Sequence, residues 1–178
     1  MEIAGCTREL PLCPIGDNLF IGAFIMFSDV ELTMACAKAL LEKTPDFDVL
    51  ITAESKGIPL CYEMARQSGK SYVVARKGEK LYMEEVLKAE VQSITTKGVQ
   101  TLCIGKKEKE LLCGKRVLLV DDVISTGASL AVLEKLVREA GGEIIGEMAV
   151  LAEGDATKRK DIIFLEKLPL FDGNGNPI

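Results

Sequence analysis

The stretch Arg116-Val117-Leu118-Leu119-Val120-Asp121-Asp122-Val123-Ile124-Ser125-Thr126-Gly127-Ala128-Ser129 decides how this chain is read. Its first part is an unbroken apolar run of strand-forming residues, the pattern of a parallel strand buried on both faces. The run ends on two adjacent carboxylates. A short polar loop with a glycine follows, and then residues 129 to 140 place Leu130, Leu133, Leu136 and Val137 on one helical stripe. Glu134 and Arg138 stand four apart and can pair, and Gly141-Gly142 ends the helix. In an open α/β sheet, ligands bind beyond the carboxyl ends of the strands. Asp121 and Asp122 at such an end can hold a sugar diol or a magnesium ion. Ser125, Thr126, Gly127, Ala128 and Ser129 offer one anion several backbone N–H donors, three hydroxyls and a helix N-terminus. Gly127 lets the backbone approach that anion closely.

Working outward, the same alternation repeats. Asp48 to Ala53 reads as a buried strand, residues 59 to 68 as a helix, and Ser71 to Arg76 as a second strand. Ile144 to Ala152 and Ile162 to Leu165 supply two more. Val91 to Thr96 and Val99 to Ile104 flank Lys97-Gly98, which predicts an antiparallel hairpin, the outer part of a flexible arm over about 81–105. Near the start, Ser28 with Glu31 has the spacing of a capping box, predicting a helix that runs to about Lys43 before Pro45. Residues 19 to 27 are apolar and are expected to be buried, residues 1 to 18 to form a strand fragment and turns, and the tail from Pro169 to Ile178 to form surface loop. The expected class is α/β: one domain over 1–178, an open, mostly parallel sheet with flanking helices and an inserted hairpin arm.

Composition narrows the function classes. The chain has 178 residues, 48% of them hydrophobic, which suffices for one packed core. A net charge of -5 disfavours non-specific nucleic-acid binding, which needs basic surface, but leaves room for a local cationic pocket. The absence of histidine removes Ser-His and Cys-His catalytic schemes. No apolar run reaches membrane-spanning length. Nothing resembles a secretory signal. Cys36, Cys61 and Cys103 fall in apolar helix or strand patterns, so the six cysteines are expected as reduced thiols of a cytosolic protein.

Val117 to Ser129 resembles the phosphoribosyl-pyrophosphate motif of the type I phosphoribosyltransferases over thirteen residues. The resemblance implies that Asp121 and Asp122 engage the ribose hydroxyls, directly or indirectly with magnesium, and that Ser125 to Ser129 wrap the 5′-phosphate. Ala53-Glu54-Ser55-Lys56-Gly57-Ile58-Pro59 is a second polar loop between strand and helix, physically suited to a diphosphate. It is similar to the pyrophosphate loop of the adenine and xanthine branch, where a cis peptide would fall at Glu54-Ser55 or one bond later. Arg76-Lys77-Gly78-Glu79-Lys80 resembles that branch's arginine-lysine-x-x-lysine stretch, implying diphosphate contacts from Arg76, Lys77 and Lys80 and a homodimer in which they lie near the partner.

The likeness covers about residues 20 to 168 and departs from the pattern in the arm. Adenine enzymes carry a glutamate there, in a stretch that looks like Ser93-Ile94-Thr95-Thr96-Lys97-Gly98, with Thr96 in the glutamate's place. Xanthine enzymes and the purine repressor of Gram-positive bacteria also lack it. Lys56 to Leu60 looks closest to that repressor, while Gly154 after Glu153 stands where xanthine enzymes have a lysine. The resemblance therefore implies phosphoribosyl transfer from 5-phosphoribosyl 1-pyrophosphate to a purine, adenine first, with xanthine or another base as one alternative and a non-catalytic sensor of the phosphoribosyl compound as another.

Overall fold

The computed structural model describes residues 1–92 and 99–178. Five strands, β5 (Val49–Ala53), β6 (Ser71–Ala75), β9 (Arg116–Ile124), β10 (Glu143–Glu153) and β11 (Ile163–Leu168), form one sheet in the order β11-β10-β9-β5-β6. Every pairing in it is parallel. These are the five strands expected from apolar runs. β9 shows why the runs are continuous: Val117 and Leu119 enter the core on one face, Leu118 and Val120 the core on the other, and all four are fully buried.

Helices cover both faces. α4 (Ala128–Glu139) lays Leu130, Leu133, Leu136 and Val137 on the first face, and its expected Glu134–Arg138 pair forms at 2.8 Å. α1 (Val30–Leu41) and α2 (Ile58–Ser68) cover the second with Leu32, Cys36, Leu40, Leu60 and Met64. The arm is β7 (Leu87–Gln92) paired antiparallel with β8 (Val99–Ile104), Leu87 opposite Ile104. The first arm strand thus begins before Val91, and the expected turn at Lys97-Gly98 lies outside the described residues. The arm's base is anchored: Ala89, Leu102 and Ile104 are buried with α4 in the core. Arg76 and Cys103 exchange two 2.8 Å backbone hydrogen bonds that attach β8 beside the end of β6.

Several local expectations need correction. α1 is capped by Asp29, whose Oδ1 accepts from Leu32 N at 3.1 Å, and not by Ser28, which has φ +67°. Asp29 wins because Arg8 holds its other oxygen at 2.6 Å and also draws Glu31 away at 2.7 Å. The apolar stretch 19 to 27 is not uniformly buried: β4 (Leu19–Gly22) is half-buried, then Phe24 and Met26 turn inward while Ile25 and Phe27 stay exposed. The tail is not all loop. β12 (Leu170–Asp172) pairs antiparallel with β4, which also pairs with β3 (Leu12–Gly16). Residues 1 to 18 do form strand fragments and turns, including β1 (Glu2–Ile3) against β2 (Cys6–Thr7). α3 (Lys106–Leu112) carries no strong apolar stripe and escaped the periodicity reading; Glu108 secures its start by accepting from Gly105 N at 3.1 Å. Among the described residues no helix is long and apolar enough to cross a membrane. All six cysteines are free thiols, three of them buried.

Candidate active site

The carboxyl ends of β5 and β9 open onto a cavity of about 750 Å³. Glu54, Ser55, Lys56, Lys77, Asp121, Asp122 and Ser129 line it, together with Val99 to Leu102 of the arm. A second cavity of about 290 Å³ is lined by Ser125 to Ser129 and shares Gln100, Asp121, Val123 and Ser129 with the first. The two form one site with two lobes that meet at Asp121, with Asp122 on the larger lobe.

Successive strand residues face opposite sides, so the two carboxylates at the end of β9 have different surroundings. Asp122 is buried. Its Oδ2 lies 3.1 Å from Lys56 Nζ, an ion pair out of hydrogen-bond alignment, and has no hydrogen-bond partner among the described residues. A buried carboxylate oxygen without a donor is costly, which suits a site completed by a ligand's hydroxyl groups. Asp121 is half-buried and accepts from the Asp122 backbone N–H at 2.9 Å through Oδ1. Burial, and then the neighbouring Asp122 charge, raise its pKa above the ordinary carboxylate range. Glu153 ends the next strand. Burial raises its pKa too, and the Lys56 charge opposes the shift, so one ammonium serves a group of acids at neighbouring strand ends.

The two polar loops lead into helices whose N-termini carry no side-chain cap. At α4 the N-cap is Gly127 with φ +75°, a conformation that excludes most other residues. Thr126 Oγ1 receives only a long 3.4 Å contact from Ala128 N. At α2 the N-cap is Gly57, again without a capping side chain. A Cβ at Gly57 would collide with Thr52 Oγ1 and come within 3.1 Å of Asp121 Oδ1, so glycine there is required by close approach. α1, away from the site, is capped by Asp29. Free backbone N–H groups at the start of α4 suit one anion on the smaller lobe; at α2 the Ile58 N–H is taken by Ser55 O at 3.2 Å and Pro59 has none, so the 55–57 loop is left to donate to a second anion on the larger lobe.

The remaining expected residues divide. The peptide Glu54-Ser55 is cis, at the first of the two bonds anticipated. The Glu54 carboxylate is engaged with its own chain, accepting from Lys77 N at 3.0 Å and Arg76 Nη1 at 3.3 Å, which holds its pKa below the usual range. Its side chain therefore ties the 54–57 loop to the 76–77 strand end. Lys77 lines the larger cavity; Arg76 supports it through Glu54; Lys80 is exposed and outside the lining. Thr96 lies outside the described residues. Gln100 was missed: it faces both cavities and its Oε1 accepts from Ser129 Oγ at 3.4 Å. Its signal was a polar residue two positions before the buried Leu102, on the inward face of β8. Among the described residues no group of three or more His, Cys, Asp or Glu side chains could hold a metal ion alone.

Comparison with known proteins agrees with this geometry. Residues 30–174 match the phosphoribosyl transferase domain family. An adenine phosphoribosyltransferase of Thermotoga petrophila is 38% identical over 86% of this chain and 88% of its own length. A hypoxanthine/guanine phosphoribosyltransferase of Methanococcus voltae is 34% identical over 84% of this chain and 74% of its own. The crystal structure of adenine phosphoribosyltransferase from Rhodothermus marinus superposes with a TM-score of 0.65 at 27% identity, covering 78% of this chain and 80% of that one.

Proposed function

Because the chain belongs to the type I phosphoribosyltransferase family, in its adenine branch, we propose that it transfers phosphoribosyl from 5-phosphoribosyl 1-pyrophosphate to adenine, giving AMP and pyrophosphate. The observation that carries this reading is the orphaned Asp122 oxygen between two uncapped helix starts. A ribose bearing a phosphate at one end and a diphosphate at the other matches that order: diol on the acidic pair, one anion on each lobe.

In this scheme the Ser125 to Ser129 loop holds the 5′-phosphate, and Asp121 and Asp122 hold the ribose hydroxyls. Backbone groups at Ser55 to Gly57, with Lys77 and, from the loop beyond, Lys80, hold the diphosphate. A purine ring nitrogen attacks C1 of the sugar as the bond from C1 to the diphosphate oxygen breaks; the diphosphate leaves with the bonding electrons, and the purine's ring proton passes to water. Positive charge grows on the ribose during this step; that charge opposes the causes that raise the Asp121 pKa and favours release of its proton, so the acidic pair beneath the ribose can stabilise it. No side-chain nucleophile is needed. The arm over the larger cavity, with Gln100 and Leu102, limits water at the reacting centre. Magnesium fits as a cation brought with the substrate, since it binds through one or two carboxylates plus phosphate oxygens, and it would neutralise the leaving diphosphate.

A second reading, another purine base, draws support from Thr96 in place of the branch's glutamate and from the hypoxanthine/guanine relative. Pyrophosphate release measured with adenine, hypoxanthine, guanine, xanthine and orotate separates the readings. Adenine turnover is expected, slowed by ~100-fold or more if the missing carboxylate acts as an acid-base group in the branch. Turnover of another base alone would replace adenine, and tight binding of the phosphoribosyl compound with no turnover would make the protein a sensor. Asp121→Asn with Asp122→Asn should abolish calorimetrically detectable binding while the fold persists; unchanged affinity would overturn the site assignment.

A further inference from the structure

Arg159 lies outside the cavity linings and outside every motif quoted above, on the connection between β10 and β11. Its side chain is held in one orientation. Nε and Nη2 donate to the two oxygens of Asp161 at 3.0 and 2.7 Å, and Nη2 also donates to Glu147 Oε2 at 3.0 Å. Both acids therefore occupy one edge of the guanidinium. Nη1, at the other edge, has no hydrogen-bond acceptor among the described residues and sits 3.2 Å from where a Cβ on Gly127 would stand. Gly127 is the turning point of the loop that opens α4. The side chain is two-thirds buried; its guanidinium stays charged at any working pH and is aimed by its acid partners so that a committed edge is taken up by Asp161 and Glu147 and a free donor edge faces the loop.

We propose that Arg159 is a positioning residue for the phosphate monoester end of the substrate, a fixed cationic donor behind the 125–129 loop that strengthens its hold on a dianion. The proposal rests on the assignment of that loop to the 5′-phosphate. A glycine at 127 serves it twice, by allowing the positive φ and by leaving the space that Nη1 enters. An ordinary staple between the β10–β11 connection and α4 would need the same contacts but would not depend on the charge, and this separates the two roles.

The test titrates ribose 5-phosphate and, separately, inorganic pyrophosphate into the wild type and into Arg159→Gln, Arg159→Lys and Asp161→Asn. Arg159→Gln should weaken ribose 5-phosphate about tenfold through loss of a partly buried charge. Asp161→Asn, which keeps the guanidinium and its Glu147 contact, should stay within about threefold of wild type; the lysine variant, which keeps the charge without the second donor edge, should lose less than the glutamine variant; and pyrophosphate affinity should not change in any of them. In turnover, KM for the phosphoribosyl donor should rise more than kcat falls. Equal ribose 5-phosphate affinity in wild type and Arg159→Gln, or equal weakening in all three variants, overturns the proposal in favour of a staple. Failure of the wild type to bind ribose 5-phosphate would instead overturn the assignment of the loop. If Arg159→Gln does not fold, the Nε resonance of Arg159 in the wild type, identified with the lysine variant, should shift on adding ribose 5-phosphate and not on adding pyrophosphate; no shift with either overturns it.

Discussion

Asp121 and Asp122 are adjacent in sequence yet play unlike physical parts. Asp122 is buried beside Lys56, while Asp121 has no cation of its own within ion-pair distance among the described residues and holds its proton more tightly than a free carboxyl. The sign of the consequence follows from linkage. A carboxyl whose folded pKa is raised leaves full stability below the ordinary carboxylate range, and stability falls as pH rises from there toward the raised value. Asp121→Asn keeps the oxygen that accepts from Asp122 N but cannot ionise. That variant should therefore melt at or above the wild-type temperature near neutral pH, and should lose less stability than wild type between about pH 5 and pH 8. Melting curves across that range check it, and an Asn variant that melts lower at every pH would refute it. The acidic pair was legible in the sequence because a strand, two carboxylates and a hydroxyl loop occur in register. That Lys56 is the cation reaching Asp122 was not, since nothing in a linear order tells which of Lys56, Arg76 and Lys77 crosses the gap between two strand ends.

At the scale of elements, sequence legibility followed burial. The five parallel strands and the α4 stripe showed themselves because burial on a sheet or a helix imposes a period that survives in the sequence. β12 and α3 did not, because each is short and half-exposed and owes its place to partners distant in the chain: β4 for one, Glu84 and Glu85 for the other. The start of α1 shows the same effect at a single turn. Ser28 and Glu31 satisfied the local spacing, but Arg8, more than twenty residues earlier, fixed Asp29 as the cap. Replacing Asp29 by Ala removes both the cap and the arginine pair, and should cost about 1–2 kcal/mol. Arg8 depresses the Asp29 pKa, so this contribution is present above the ordinary carboxylate range and lost as pH falls through the depressed folded value. Denaturant unfolding at neutral and acid pH should show the difference between wild type and variant shrinking in acid; a difference that stays constant would assign the cost to the helix start alone.

For the whole molecule, the open question is what covers its exposed apolar surface. Membership of the phosphoribosyltransferase family fits a cavity for small anions, but two regions of the surface expose clustered apolar side chains. One is the face between α1 and α2, where Val30, Met34 and Tyr62 border a shallow groove of about 200 Å³. The other is Leu81 and Tyr82, both exposed, directly after the Arg76 to Lys80 stretch. A homodimer would bury such patches, and a stable one needs about 800 Å² from each partner. The expectation from the family likeness puts the cationic stretch at the interface, which makes Leu81 and Tyr82 the residues to test. Light scattering at micromolar concentration should give a mass near twice 19.3 kDa. Tyr82→Glu should shift it toward the monomer and, on the expectation that a partner places Lys80, which stands outside its own subunit's cavity, raise the KM for the phosphoribosyl donor together with it. Val30→Glu distinguishes the faces: a dimer that survives Tyr82→Glu and fails with Val30→Glu would move the interface to α1 and α2 and leave the 76–80 cations serving their own subunit. A monomeric wild type would remove the partner from the mechanism, and both diphosphate contacts and exposed apolar residues would then have to be explained within one chain.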